Sequence, residues 1–312
     1  RMRKTMKIAV MATGGVGGVF GAKLTQAGED VTFIARGAHL EAIRKNGLTI
    51  AGDNGDQVLE NVQITDNPEA VGPVDVVMFA VKLWDTESAA TFCKPMLGPN
   101  TVLIPFQNGV ASTETISKVI SEAHTGRGLS RVSASIEDPG VIRQVGSFAS
   151  LAFAEADGKR SPRMEAFLAV CKRAGIEADI PRDIFRALWQ KYVLLVTVSG
   201  MTTAGRLPMR TLIAEPEGLA AARSCMAEVA AIGRAQGVNL PCDTVENLTS
   251  FMQKMPPAMK ASQAIDLENG RRLEAPWLTG TVCDMGRQHG IPTPTNDALY
   301  SVIKPYIMGP LT

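Results

Sequence analysis

The sequence is short of the residues that build most specialised scaffolds. Histidine occurs three times, at His39, His124 and His289, each far from the others, so no metal site is expected. The five cysteines, Cys93, Cys171, Cys225, Cys242 and Cys283, are odd in number and scattered, with no Cys-x-x-Cys pair. They read as reduced thiols in helices and loops rather than a disulfide framework. A strong charge of either sign is missing: 32 Lys and Arg against 31 Asp and Glu leave +1. No nucleic-acid or acidic-partner surface is expected from that balance. The longest apolar runs are strand-sized and fall short of a bilayer span. Residues 1–5 are basic, but no long apolar stretch follows, so no signal peptide is expected and the chain reads as cytoplasmic. Repeats and low-complexity tracts are missing as well.

What is present is concentrated at the start. The apolar run 8–11 leads into Ala12-Thr-Gly14-Gly15-Val16-Gly17, then a helical pattern, then Asp30 and a second apolar run at 31–35. That order, strand, glycine turn, helix, strand, presents bare backbone and a helix N-terminus to a dinucleotide pyrophosphate. On the G-x-G-x-x-G pattern the first glycine is Ala12, the second is Gly14, where backbone can approach phosphate, and the third is Gly17, where helix and strand pack closely. The alternative is a glycine-rich turn that only packs a helix on a sheet. Gly14, Gly15, Val16 and Gly17 are therefore the candidate cofactor turn. The second strand ends at Arg36, with no acid beside it. A guanidinium accommodates the 2′-phosphate of NADP in a two-pronged way, whereas a carboxylate there would repel it. NADPH is the expected cofactor, unless Arg36 is only a solvated residue after a strand.

The 312 residues allow one large or two ordinary domains. Strand and helix patterns alternate as far as residue 180: a helix over 39–46, strands over 48–50 and 58–64, a buried strand over 74–81, a helix over 85–95, a strand over 101–105 and a helix over 110–123. Strands over 128–136, 140–145 and 150–154, a helix over 160–174 and a short strand over 176–180 follow. Beyond Pro181 the texture is helical, with helices over 184–204, 215–236, 243–255, 257–267, 276–289 and 295–306. The pattern predicts an α/β fold, a Rossmann-type doubly wound sheet over residues 1–182, followed by an all-helical domain over 183–312. Such a pair of domains predicts a cleft between them, with ligands at the carboxyl ends of the strands.

Polar residues fall where that cleft is expected. Lys82 ends the run 74–81, and Gln107-Asn108-Gly109 ends the run 101–105. Lys82 and Asn108 are candidates for contact with cofactor and substrate; the alternatives are a surface lysine and an Asn-Gly turn. Lys191 lies in an apolar helix with Leu195 and Ser199 on the same face. It either snorkels at the edge of that face or sits in a site, where its ammonium could polarise a ketone and donate a proton. Ser262 and Glu274 could bind a substrate carboxylate and hydroxyl, and Glu274 could equally serve the start of a helix.

Jointly these residues resemble the ketopantoate reductase (2-dehydropantoate 2-reductase) family along nearly the whole chain. The motifs are Gly14-Gly-Val-Gly17-Gly-Val-Phe-Gly-Ala, Phe33-Ile-Ala-Arg36-Gly, Ala80-Val-Lys82, Gln107-Asn108-Gly109, Trp189-Gln-Lys191, Ser262, Glu274 with Trp277-Leu-Thr-Gly280, and Gly290-Ile-Pro-Thr-Pro-Thr-Asn296. The resemblance implies reduction of 2-dehydropantoate to pantoate with NADPH, a step toward pantothenate and coenzyme A. It implies that Arg36 binds the 2′-phosphate and that Lys82 and Asn108 lie near nicotinamide and substrate. It further implies that Lys191 is the general acid, that Ser262 and Ser199 help hold the substrate, and that Glu274 contacts its hydroxyl or orders Lys191. Three positions depart from the family pattern. Ala12 replaces a glycine, and Leu195 and Ser199 stand where better-known members carry asparagines. Leucine cannot hydrogen-bond, so another branched or bulkier 2-oxo acid is an open alternative. A β-hydroxyacid or opine-type dehydrogenase, or a non-catalytic NADP(H)-binding module, stays open as well. A homodimer through the apolar helices is compatible with the pattern.

Overall fold

The structure, a computed structural model, describes residues 5–53 and 55–309. The chain divides after Ile184 into two compact units. In the first, the elements run β1 (Lys7–Met11), α1 (Gly15–Gln26), β2 (Asp30–Ile34), α2 (Gly37–Asn46), β3 (Leu48–Gly52), β4 (Gln57–Leu59), β5 (Gln63–Thr65), α3 (Pro68–Val71), β6 (Val74–Phe79), α4 (Thr86–Phe92), β7 (Leu97–Pro105), α5 (Ser112–Ile120), β8 (Gly126–Asp138), β9 (Val141–Glu155), α6 (Pro162–Arg173) and β10 (Glu177–Asp179).

Five strands form a parallel sheet in the order β5-β2-β1-β6-β7. β1 is central: Ile8, Ala9 and Val10 are fully buried on both faces, as a parallel strand covered on both sides must be. One face packs under α4 and α5, where Met11, Val77, Phe79, Ala90, Leu103 and Ile116 form a continuous core. The remaining strands make a second sheet, β10-β9-β3-β4, with β8 paired to β9 as a long antiparallel hairpin. The expected strand over 58–64 is therefore two strands in different sheets, separated by a bend at residues 60–62. Likewise the expected strands over 140–145 and 150–154 are one strand, β9, carrying Gly146 at φ +70°.

Helix α1 lies against both sheets, and its glycines make that possible. An added Cβ at Gly21 would stand 2.5 Å from the Phe33 ring of β2, and one at Gly17 would stand 2.8 Å from Val10 and against the Ala12 carbonyl. On the other side, a Cβ at Gly15 would run into the backbone of Ala134 in β8, and one at Gly18 into Ile142 of β9. Residues four apart share a helix face, so Gly17 and Gly21 address the parallel sheet while Gly15 and Gly18 address the second. Gly14 is different: nothing lies within 4 Å of where its Cβ would be.

The second unit is helical, α7 (Ile184–Gly205) beginning at the boundary, then α8 (Met209–Leu212), α9 (Pro216–Ala235), α10 (Thr244–Gln253), α11 (Ser262–Glu268), α12 (Thr279–His289) and α13 (Pro294–Ile303). The helix expected from residue 257 starts at Ser262, and residues 256–261 before it are turn and irregular chain. The Pro-Thr-Pro-Thr-Asn296 stretch opens α13, and its N-terminus is capped from α9. The Glu228 carboxylate accepts from the backbone N–H of Thr295 (2.9 Å) and Asn296 (3.0 Å) and from Asn296 Nδ2 (2.7 Å). A carboxylate at a helix N-terminus meets both orphan donors and the dipole. Tyr192 of α7, fully buried, donates to the Leu278 carbonyl at 2.8 Å and fixes the chain just before α12. No helix among the described residues is long and apolar enough to cross a membrane.

The glycine contacts of α1 give a direct expectation. Gly17→Ala should cost about 2 kcal/mol by overpacking, despite the better helix propensity of alanine. Gly14→Ala, facing open space, should stay within about 1 kcal/mol of wild type. Urea unfolding of the two variants checks this; equal losses would contradict the packing role of Gly17.

Candidate functional site

In the parallel sheet the chain moves from β1 to β2 on one side and later to β6 on the other. That reversal places a crevice at the carboxyl end of β1, where nucleotides bind in open α/β sheets. The turn there runs from Ala12 to Gly14, and Gly15, Val16 and Gly17 form the first turn of α1. Helix geometry leaves first-turn N–H groups without intrahelical partners. With no acid in that turn and open space at Gly14, the site suits an anionic pyrophosphate. These residues fit a bound dinucleotide.

Arg36 follows β2 and caps the N-terminus of α2 with extended backbone. Its side chain is 88% exposed, and its guanidinium lies 3.2 Å from the Asp85 carboxylate. Lys82 follows β6 and begins a short 3₁₀ turn over Leu83–Asp85. Its Nζ lies 5.8 Å from the centre of the Trp84 ring. Asn108 follows β7 and is half-buried. The turn residues, Arg36, Lys82 and Asn108 thus emerge at the same end of four neighbouring strands.

Of the four candidate residues of the second unit, Lys191 and Ser199 lie on α7 itself, and Ser262 and Glu274 lie on segments fastened to it. Lys191 is half-buried in that helix, as is Leu195 one turn on. Ser199 is 1% exposed, and its Oγ has no hydrogen-bond partner among the described residues. Ser262 is exposed at the start of α11. The flanking Ala261 N–H donates to Thr202 Oγ1 and Gln263 Nε2 to Thr203 Oγ1, each at 3.2 Å, which ties that helix start to α7. Glu274 is 9% exposed, and its backbone carbonyl accepts from Trp277 and Leu278 in the turn that Tyr192 anchors.

Residues 8–158 match the family described as Ketopantoate reductase PanE/ApbA, and residues 183–306 match Ketopantoate reductase PanE/ApbA C terminal. The chain belongs to the ketopantoate reductase family. It is 29% identical to a 2-dehydropantoate 2-reductase of Mesorhizobium japonicum, across 96% of this chain and 97% of that protein. It is similar to the crystal structure of a PanE/ApbA family ketopantoate reductase from Ralstonia eutropha JMP134, at 30% identity and TM-score 0.87, covering 96% of this chain and 97% of that one. D-mandelate dehydrogenase, solved with NADH and anilino(oxo)acetate, shares the fold at 20% identity and TM-score 0.87, covering 96% and 98%. The ketopantoate reductase family is one of oxidoreductases, and this chain is read as one.

Within this family member, the structure gives roles to residues for which the sequence pattern offered none. Gln107 Nε2 donates to the Val81 carbonyl and to Thr86 Oγ1, both at 2.9 Å, while its buried Oε1 has no partner among the described residues. Gln107 therefore fastens the turn that carries Lys82 and Asp85. His39 clamps the glycine turn. Gly140 N–H donates to His39 Nδ1 at 3.0 Å, so Nδ1 carries the lone pair and the proton resides on Nε2, 2.8 Å from the Thr13 carbonyl it bonds. Burial holds the His39 ring below the ordinary histidine range, against a smaller opposing effect of the Thr13 bond. The cysteines offer no nucleophile in the buried positions: burial pushes Cys93 and Cys171 up to about 12. Among the described residues no group of three or more His, Cys, Asp or Glu could hold a metal.

The His39 clamp predicts a pH effect. With the folded value lowered, the unfolded ring near 6.5 binds protons first, so stability is held above about 6.5 and falls as pH drops toward the folded value. Urea midpoints at pH 7.5 and 5.0 should therefore fall further in wild type than in His39→Gln. Parallel losses in the two proteins would remove His39 from the account.

Proposed function

We propose that the protein reduces a 2-oxo acid to the corresponding 2-hydroxy acid with NADPH, with 2-dehydropantoate as the leading substrate and pantoate as its product. The observation that carries this reading is the crevice at the carboxyl end of β1, with bare backbone at Gly14, the helix N-terminus of Gly15, Val16 and Gly17, and exposed Arg36 just after the adjoining strand. Membership of the ketopantoate reductase family supports the reaction class. The bound dinucleotide supplies the hydride that adds to the carbonyl carbon.

The chain's own residues do the rest in this reading. Gly14, Gly15, Val16 and Gly17 hold the pyrophosphate by backbone N–H groups, and Arg36 attracts the 2′-phosphate. Lys82 and Asn108 orient the nicotinamide end and the substrate. The Lys191 ammonium polarises the ketone and delivers a proton to the oxygen as the alcohol forms, so one hydride and one proton enter per turnover. Glu274 contacts the nascent hydroxyl or orders Lys191, and Ser262 and Ser199 help hold the substrate. A bulkier 2-oxo acid is the second reading. Leu195, half-buried on the Lys191 face, favours it, because an alkyl side chain there offers a substrate packing and no hydrogen bond. D-mandelate dehydrogenase, of the same fold, was solved with an aryl-bearing oxo acid analogue and NADH, which makes aryl substrates worth assay.

The test is NADPH oxidation against 2-dehydropantoate and a panel of branched and aryl 2-oxo acids, with NADH in parallel. Lys191→Ala should lower kcat by about a hundred- to ten-thousandfold while leaving the NADPH Kd unchanged. Wild type and variant equally slow on every oxo acid would reject Lys191 as the acid.

A further inference from the structure

The Arg36–Asp85 pair has an unusual position. β2 and β6 lie on opposite sides of β1, so their carboxyl ends are roughly 10 Å apart, two strand spacings. Arg36 follows one and Asp85 the other, and their contact at 3.2 Å arches across the end of β1, where the glycine turn begins. The turn that carries the carboxylate is held by hydrogen bonds. Asp85 N–H donates to the Lys82 carbonyl at 2.9 Å, Thr86 Oγ1 donates to the Leu83 carbonyl at 2.8 Å, and Gln107 Nε2 donates to Thr86 Oγ1 at 2.9 Å. Arg36 by contrast is a long side chain that is 88% exposed. The acid is the member of the pair on the held turn.

That arrangement bears on which dinucleotide the crevice takes, given the reading of the turn as a dinucleotide site, on which this inference rests. A 2′-phosphate drawn to Arg36 must displace or sit beside the Asp85 carboxylate, and two anions at that range repel. A ribose without the phosphate offers hydroxyl donors instead, and a carboxylate accepts them well. We propose that Asp85 is a specificity-determining residue at the adenosine end of the site: it opposes the 2′-phosphate that Arg36 attracts and accepts a ribose hydroxyl, so that the chain binds NADPH and NADH with comparable affinity. Arg36 is exposed and Asp85 half-buried, and a pair so open to solvent on one side is weak enough for either ligand to replace it.

The test measures Kd for NADPH and for NADH by fluorescence titration, without substrate, in wild type, Asp85→Asn and Arg36→Ala. Wild type should prefer NADPH by less than about tenfold. Asp85→Asn keeps the size and the turn while removing the charge, and should raise that preference about tenfold further. Arg36→Ala should invert it in favour of NADH. An Asp85→Asn ratio within twofold of wild type, with both ligands bound, would overturn the role of Asp85 and leave the dinucleotide reading standing. Binding of neither ligand to wild type would overturn the dinucleotide reading and this inference with it.

Discussion

The close approach of α1 to its two sheets is the constraint on which the nucleotide half of the site depends. Glycines at 17 and 21 let the helix lie against β1 and β2, and glycines at 15 and 18 let it lie against β8 and β9. A helix gripped on both sides has a fixed N-terminus, and a fixed N-terminus is what an anion site requires. The same contacts leave one glycine, Gly14, facing open space. His39 and Thr13 then tie the turn to the hairpin and to β2: the Thr13 N–H and hydroxyl both donate to the Ile34 carbonyl at 3.0 Å. Packing and polar clamps thus act on one short piece of backbone.

The loops that follow β6 and β7 obey a similar logic. Lys82 and Asn108 are polar residues on turns, and turns drift unless something holds them. Here Gln107 supplies the hold, bonding the Val81 carbonyl and Thr86 across two strands. In the helical unit, buried hydroxyls of α7 and the Tyr192–Leu278 bond fasten the segments that carry Ser262 and Glu274. Lys82, Asn108, Lys191 and Ser262 are exposed or half-buried, Ser199 and Glu274 are buried, and buried polar groups around them set position.

Much of this was legible in the sequence, and the exceptions have physical reasons. The strand–turn–helix–strand order at the start, the change to helical texture after Pro181 and the carboxyl-end residues Arg36, Lys82 and Asn108 follow from local periodicity and punctuation. The split of residues 58–64 between two sheets did not, because alternation continues through the bend and Val58 lies exposed on an edge strand. Gly15 reads as part of a phosphate turn and Gly18 as part of the helical pattern after it, while their partners in β8 and β9 lie more than a hundred residues away. His39 pairs with Gly140 across 101 positions, and Glu228 caps α13 across 67 and 68. Asp85 read as the start of a helix and Gln107 as one residue of a strand-end motif, neither with a role of its own, until the topology brought β2 and β7 to flank the strands between them. Long-range polar pairs leave no periodic trace in a single sequence.

The central claim is that the gripped N-terminus of α1 receives a dinucleotide pyrophosphate. Amide hydrogen exchange of the intact chain with and without saturating NADPH tests it most directly. The account predicts added protection in the peptide spanning Gly14, Gly15, Val16, Gly17 and Gly18, whose first-turn N–H groups at Gly15, Val16 and Gly17 lack intrahelical acceptors and would be taken up by phosphate. Protection confined to other segments, with exchange at this turn unchanged under saturation, would contradict it.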